Sequence, residues 1–434
     1  MSKTRQILDM LRDYESRNIV FVEPDGSWPI AWDRAKDVHV WDADGKKYLD
    51  LTAAFGVAAA GHANSKVVEA GQKQMGRLLH AMGDVHPHAL KAELARELSR
   101  LTFERWTGSM KKGKVIFTNS GFEAVEVALK TAILATSRHG VVAFTGAYHG
   151  LGYGALNATH RDYFRKPFQP QLREFVRFVQ FPARTADLPT VEFQIRNLFR
   201  REWLGAILFE PVQARGGINV PPSEFLPLLR KLCDEHNALL ILDEIYTGFG
   251  RTGKWFANEH VGVVPDLICL GKALTGGFPL SACVGRGDLM DAAWPPSKGE
   301  ALHTSTFLGN PVGCAMAVAQ IAEIEKLKLP ERAAELGGFL LGELQSKLVS
   351  GKFQVAVRGA GLMAGVELRR HDGSPATVET FAAIKTLLQR GYIFLPEGEY
   401  GNVISFTPPL TITKAQLAKA VDELQKVLTT DEHR

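Results

Sequence analysis

Between residues 114 and 285 the chain alternates short, almost wholly apolar runs with stretches whose apolar residues recur every three or four positions. The runs are KVIFT (114–118), VVAFT (141–145), GAILFEP (205–211), LLILDE (239–244), DLICLG (266–271) and SACVG (281–285). Such short, continuous apolar runs predict strands covered on both faces, as in a mostly parallel sheet. Between them Val125, Ala128, Leu129, Ala132 and Ile133, and then Phe225, Leu228, Leu229, Leu232 and Cys233, repeat at helical spacing, so two helices are expected to lie on that sheet. Strand and helix in alternation predict a doubly wound α/β unit with right-handed crossovers.

The flanks carry other periods. Residues 36–52 alternate polar and apolar around Asp44-Gly45, a hairpin signal. The strand-like stretches 353–368 and 402–407, followed by Leu417, Val421, Leu424 and Leu428 at helical spacing, predict a separate α+β unit in the C-terminal third. WPPSKG (294–299) and HDGSP (371–375) read as loops, and no internal repeat is visible.

Composition narrows the class. A chain of 434 residues is too long for one ordinary core, so two or three domains are expected. A hydrophobic fraction of 45%, a charged fraction of 23% and a net charge of +4 describe a soluble globular protein. No apolar run approaches the roughly 20 residues that crossing a bilayer takes. The opening stretch, MSKTRQILDMLRDYESR, has no apolar signal core, which makes a cytoplasmic location the expectation. Cys233, Cys269, Cys283 and Cys314 stand singly in apolar surroundings, so buried spectator thiols are expected rather than disulfides or a metal site. The basic excess forms no tract with interleaved aromatics, and no nucleic-acid partner is expected.

Four local motifs carry chemistry. GFGRTG (248–253) satisfies the dinucleotide pattern GxGxxG, but Glu244 to Thr247 separate it from the preceding strand and no clear amphipathic helix follows, so the motif is rejected as a nucleotide site. In TNSGFEAVE (118–126), Ser120 and Glu123 form an S-x-x-E capping box that opens a helix directly after a strand. The amides of Gly121 and Phe122 at that helix start suit an anion, although the same box also caps helices that bind nothing. Asp243 ends the run LLILD, at the sheet edge where open α/β folds bind ligands; a carboxylate satisfied by a neighbouring turn would read the same way. Lys272 follows DLICLG among small residues, a setting that can desolvate an amine meant to attack a carbonyl, although an exposed loop lysine is the commoner case. Anion site, carboxylate and lysine in order along one sheet suit pyridoxal 5'-phosphate (PLP): phosphate on the helix start, Asp243 on the pyridine nitrogen, Lys272 on the aldehyde carbon.

The order NSGFEAVE, GAYHG, FEPVQ, DEIYTGFGRTG, GKALTGG and HTSTFLGNP resembles the class III (ω-type) aminotransferases of PLP fold type I over nearly the whole chain. The resemblance implies a large PLP-binding domain over 61–328 and a smaller α+β domain built from 1–60 and 329–434. It implies Lys272 as Schiff-base and proton-shuttle lysine, Asp243 as partner of the pyridinium nitrogen and Tyr148 stacked on the ring, with His149 supporting that stack or simply packed. Ser120, Gly121, Phe122 and the partner subunit's Thr306 would hold the phosphate, and Ile245 and Tyr246 would also touch the cofactor. Phe55, Glu210, Arg215 and Ser405 would face the substrate, in a homodimer with shared active sites.

Three departures from the family pattern bear on substrate. Tyr246 stands where a glutamine commonly touches the cofactor's phenolic oxygen, and a tyrosine hydroxyl can donate the same bond. Arg215 replaces an acid in PVQARGG, and Ser405 in NVISFT replaces an arginine that grips an α-carboxylate in many members. Without that arginine, Glu210 is expected to keep free acceptors and to favour donors whose amine is far from a carboxylate, or a second ammonium. Amino transfer to an oxoacid is the expected reaction. Racemisation or epimerisation of an amino compound on the same residues is the alternative.

Overall fold

The structure is a computed structural model, and it describes residues 2–429. Its centre is a seven-stranded sheet made of β1 (Gly113–Thr118), β2 (Gly140–Phe144), β3 (Val176–Val179), β4 (Leu204–Phe209), β5 (Leu239–Asp243), β6 (Leu267–Leu270) and β7 (Ser281–Arg286). Their spatial order is β1-β7-β6-β5-β4-β2-β3, with only β7 antiparallel to its neighbours. β5 and β6 are buried at every position, which is why they read as unbroken apolar runs rather than alternating ones. β3 was not visible as a strand in the sequence. It is a four-residue edge strand with the half-buried Arg177 and Phe178 at its centre, so its apolar signal is diluted.

Helix α1 (Gly121–Thr136) covers one face of this sheet, burying Val125, Ala128, Leu129 and Ala132. Ile133 departs from the expected stripe: it is 48% exposed and faces outward. Helix α2 (Phe225–His236) buries Phe225, Leu229, Leu232 and Cys233, with Leu228 half-buried beside them. All four cysteines are buried and unlinked.

Two smaller sheets flank the large one. Strands His39–Asp42 and Lys47–Asp50 pair antiparallel across the expected turn at Gly45, whose φ of +89° suits glycine. Tyr392–Ile393 joins this sheet alongside Lys47–Asp50 and parallel to it. The other sheet contains the hairpin Gln354–Ala360 and Met363–Arg369, followed by Val403–Phe406 and Leu395–Glu397. Residues 248–253 are turn, not a strand-to-helix phosphate loop. The buried Arg251 guanidinium donates to the carbonyls of Leu362 (3.0 Å) and Pro408 (2.5 Å), which fastens this turn to the C-terminal sheet. Among the described residues no helix is long and apolar enough to cross a membrane.

Candidate active site

The parallel register pairs Phe209 with Leu242 and Asp243 with Cys269, so β4, β5 and β6 end together. Glu210, Asp243 and the Gly271-Lys272 step therefore emerge at one edge. β1 runs in the same sense as β6, two reversals away, and delivers Ser120 and the start of α1 to that edge. The loop after β2 brings Tyr148 and His149 over it. The result is a cavity of about 420 Å3 lined by Gly121, Phe122, Tyr148, His149, Glu210, Arg215, Asp243, Ile245, Tyr246 and Lys272, together with Gly150, Leu151, Val212 and Ala214.

Lys272 holds the left-handed conformation at φ +38°, strained for a side chain with a Cβ, and its ammonium lies 4.6 Å over the Tyr246 ring. Burial lowers its pKa, opposed by the charges of Asp243, Glu210 and Glu397. A larger neutral fraction makes the amine a better nucleophile and base. Asp243 is almost fully buried, accepting from His149 Nδ1 at 2.8 Å and from the Ile245 amide at 3.1 Å. Burial disfavours the charged form of His149, but the hydrogen bond and charge of Asp243, with the charge of Glu210, outweigh it and raise the pKa. His149 is thus tied to Asp243 at the cavity wall. Its Nε2 is buried without a partner.

At the start of α1 the Glu123 carboxylate accepts the amides of Asn119 (2.7 Å) and Ser120 (3.1 Å), the acid half of the expected capping box. Ser120 Oγ is buried and makes no full hydrogen bond, so a hydroxyl stands ready beside the first-turn amides of Gly121 and Phe122, which a helix leaves without internal acceptors. Ile245 packs so closely on Gly121 that a Cβ there would lie 3.0 Å from its Cδ1.

The substrate-side expectations are met unevenly. Glu210 lines the cavity, its Oε1 accepts the Tyr148 amide (2.9 Å), and burial pushes its pKa up to about 7. The Tyr246 hydroxyl is 3.2 Å from Thr407 Oγ1. Ser405 is buried, donates to the Leu395 carbonyl (3.1 Å) and lies outside the cavity lining, while Arg215 lines the cavity and stands 5.5 Å over the Tyr148 ring. Phe55, half exposed at φ +63°, and the exposed Thr306 also lie outside the lining formed by this single chain.

Sequence reading missed Glu397. It ends the short strand Leu395–Glu397 in a stretch, LPEGEYG, that looks like loop, yet it is only 3% exposed. Burial pushes its pKa up to about 7 against the pull of Arg215, Arg161 and Lys272. A charged residue followed by glycines gave no local signal of burial.

The residues fit PLP: a buried, unpartnered Ser120 hydroxyl beside open helix amides for a phosphate, a buried Asp243 for a ring nitrogen, and a desolvated Lys272 for an aldehyde carbon. A parallel sheet with these groups at one edge defines a PLP-dependent transferase. The family model described as aminotransferase class-III matches residues 21–428, and the chain belongs to that family. It is 38% identical to the putrescine aminotransferase of Pectobacterium atrosepticum over 406 residues, covering 92% of this chain and 82% of that one. It is 36% identical to the acetylornithine aminotransferase of Methanosarcina mazei over 421 residues, 96% of each chain. An amine transaminase from an uncultivated Pseudomonas species, solved in its PLP-bound form, superposes with a TM-score of 0.85 at 28% identity, covering 96% of this chain and 98% of that one. The chain is a PLP-dependent aminotransferase, and racemisation draws no support from these relatives.

Proposed function

We propose that the chain takes an amino group from a donor whose reacting amine lies far from any α-carboxylate and passes it to an oxoacid, with Lys272 and Asp243 as its catalytic residues. The observation that carries this reading is the joint placement of Lys272, Asp243 and the Ser120 helix start around one cavity. When bound, the cofactor supplies an electrophilic carbonyl for the amine and a ring that accepts the electrons released at the substrate carbon. Lys272 Nζ moves the proton at that carbon, helped by the burial that lowers its pKa. The Asp243 carboxylate would keep a proton on the ring nitrogen, and His149 Nδ1–H, assigned as donor from the hydrogen-bond geometry, orients that carboxylate. Ser120 Oγ and the amides of Gly121 and Phe122 would hold the phosphate, and Tyr148 and Ile245 would enclose the ring.

The absence of an arginine at Ser405 supports the donor class, since a serine spent on the Leu395 carbonyl cannot grip an α-carboxylate. The exposed Thr306 and Phe55 suit contact with a second copy, so the working form is a homodimer in which the partner subunit's Thr306 reaches the phosphate.

Borohydride reduction tests the lysine: the cofactor should become irreversibly attached at Lys272 in the wild type and remain removable in Lys272→Ala. Attachment retained in that variant would overturn the assignment. A donor panel tests the substrate class, and terminal amines should exceed glutamate and alanine. Glutamate as best donor by a wide margin, unimproved by Ser405→Arg, would show that the missing arginine carries no specificity.

A further inference from the structure

The Tyr246 hydroxyl is committed away from the cavity. Thr407 Oγ1 donates to the Thr52 carbonyl (3.3 Å), which leaves that oxygen to accept the Tyr246 proton across 3.2 Å. Burial and the charge of Glu397 push the phenol's pKa up to about 12, so the hydroxyl keeps its proton through the neutral range. A hydroxyl has one proton to donate, and one spent on Thr407 does not serve a cofactor's phenolic oxygen. The edge of the ring is fixed by Gly56, at φ +81°, where a Cβ would lie 2.9 Å from Tyr246 Cε1. Val212, Ala214, Ile218 and Met363 form the apolar cluster it packs on. What this fixed ring offers the cavity is a face, and Lys272 Nζ stands 4.6 Å from its centroid.

That distance lies inside the roughly 6 Å over which a cation is drawn to the negative face of an aromatic ring, and the attraction grows where water is excluded. Burial opposes the charge of Lys272, and among the described residues no hydrogen bond or ion pair holds its Nζ. Asp243, Glu210 and Glu397 favour that charge from a distance, and Arg215 opposes it. A carboxylate in contact would grip the proton, whereas a neutral ring steadies the ammonium and lets the proton go.

We propose that Tyr246 is a positioning residue for the transfer: its ring face seats the Lys272 ammonium whenever the reaction frees that amine, and holds it over the cavity between one proton transfer and the next. The inference rests on the amino-transfer reading, in which the donor amine takes the place of Lys272 and Lys272 then moves the proton. A lysine amine without its covalent anchor has a flexible four-carbon stem and many rotamers open to it. A ring face within reach confines it to the few from which the reacting carbon is accessible.

The test compares the wild type with Tyr246→Phe, with Tyr246→Leu, and with Tyr246 replaced by phenylalanines of increasing ring fluorination, which keep the ring's shape and drain its negative face. Holoenzyme loaded with the amine form of its cofactor is mixed with pyruvate or 2-oxoglutarate, and the single-turnover rate is followed by absorbance across pH. Its acid limb reports Lys272, which must be neutral to take the first proton. Tyr246→Phe keeps the ring face and should keep the wild-type limb. Loss of the ring disfavours the ammonium, so Tyr246→Leu should move the limb down by about half a pH unit or more. Its plateau rate should fall about tenfold, with half-saturation by the oxoacid changed less than about threefold. The fluorinated rings should fall between these two, in order of fluorine content. A limb and plateau indifferent to fluorination, or a Tyr246→Leu limb no lower than wild type, overturns the proposal, because a role in packing alone survives fluorination. Trace acetylation of Lys272 by acetic anhydride in the cofactor-free chain, read by peptide mass spectrometry across pH, follows the same ionisation without turnover and should give the same order. Absent turnover in the wild type would count against the amino-transfer reading alone, and the acetylation order would then decide on Tyr246. Should Tyr246→Leu fail to fold by circular dichroism, the fluorinated series decides.

Discussion

His149 Nδ1 lies 2.8 Å from Asp243 Oδ2, with both side chains buried at the edge of the central sheet. The bond runs from a loop after β2 to the end of β5, 94 positions apart, and leaves the second carboxylate oxygen for the Ile245 amide. Asp243 is therefore held by two donors before any ligand reaches it.

Asp243→Asn should cripple turnover and leave the chain folded, because a neutral amide does not keep a ring nitrogen protonated. A loss of kcat of about a hundredfold or more is expected, equivalent to roughly 3 kcal/mol of transition-state stabilisation. His149→Gln should cost less, on the order of tenfold, since the charge remains and only its orientation suffers. Steady-state kinetics with circular dichroism as the folding control reads both. Near-normal kcat in Asp243→Asn would remove the carboxylate from the mechanism.

Gly150 sits at φ +109°, and a Cβ there would meet Phe122 Cβ at 2.4 Å. Gly150→Ala is expected to push Phe122, and with it the first turn of α1, out of place. Cofactor binding, titrated by absorbance, should weaken tenfold or more while the far-ultraviolet dichroism stays close to wild type. Unchanged affinity would mean that the Phe122 amide does not hold the phosphate.

Glu244 is fully buried, accepts the amides of Ala257 (2.8 Å) and Asn258 (3.0 Å) and the Thr247 hydroxyl (2.7 Å), and has its pKa pushed up to about 7 by burial. A carboxyl with a raised folded-state pKa binds its proton more readily in the folded chain. Its contribution favours folding fully below the ordinary value of 4.5 and is lost as pH rises through about 7. Melting temperatures at pH 5 and pH 8 should show a drop in the wild type that is smaller in Glu244→Gln. An identical drop in both proteins would assign the pH dependence elsewhere.

The sequence revealed most of the large sheet because β4, β5 and β6 are buried on both faces and cannot tolerate polar interruption. Lys272, Asp243 and the α1 start were legible for a related reason: each abuts a strand end, so its position follows from the strand. The Arg215–Glu397 pair was not legible, since the two residues meet only when the C-terminal sheet closes on the loop after β4, and no local period encodes that contact. The expectation for Glu210 considered side chains alone and did not foresee that a backbone amide would hold one of its oxygens. The backbone amide of Tyr148 supplies that bond, and amide direction is not written in residue identity. Ile133 faced outward for a simpler reason, since a stripe read at three- and four-residue spacing drifts toward the edge of the covered face by the last turn.

The strand Tyr392–Ile393 lies parallel to Lys47–Asp50, and Lys46 Nζ donates to the Gln389 carbonyl 343 positions away. During synthesis the first hairpin leaves the ribosome with this edge unpaired and keeps it so until nearly the whole chain has been made. Closing so distant a contact costs loop entropy before any pairing offsets it, so this sheet is expected to be among the last parts to form. The central sheet and its covering helices can assemble in the meantime, and the early hairpin, waiting with an open edge, is the part of the nascent chain most exposed to pairing with a neighbouring copy.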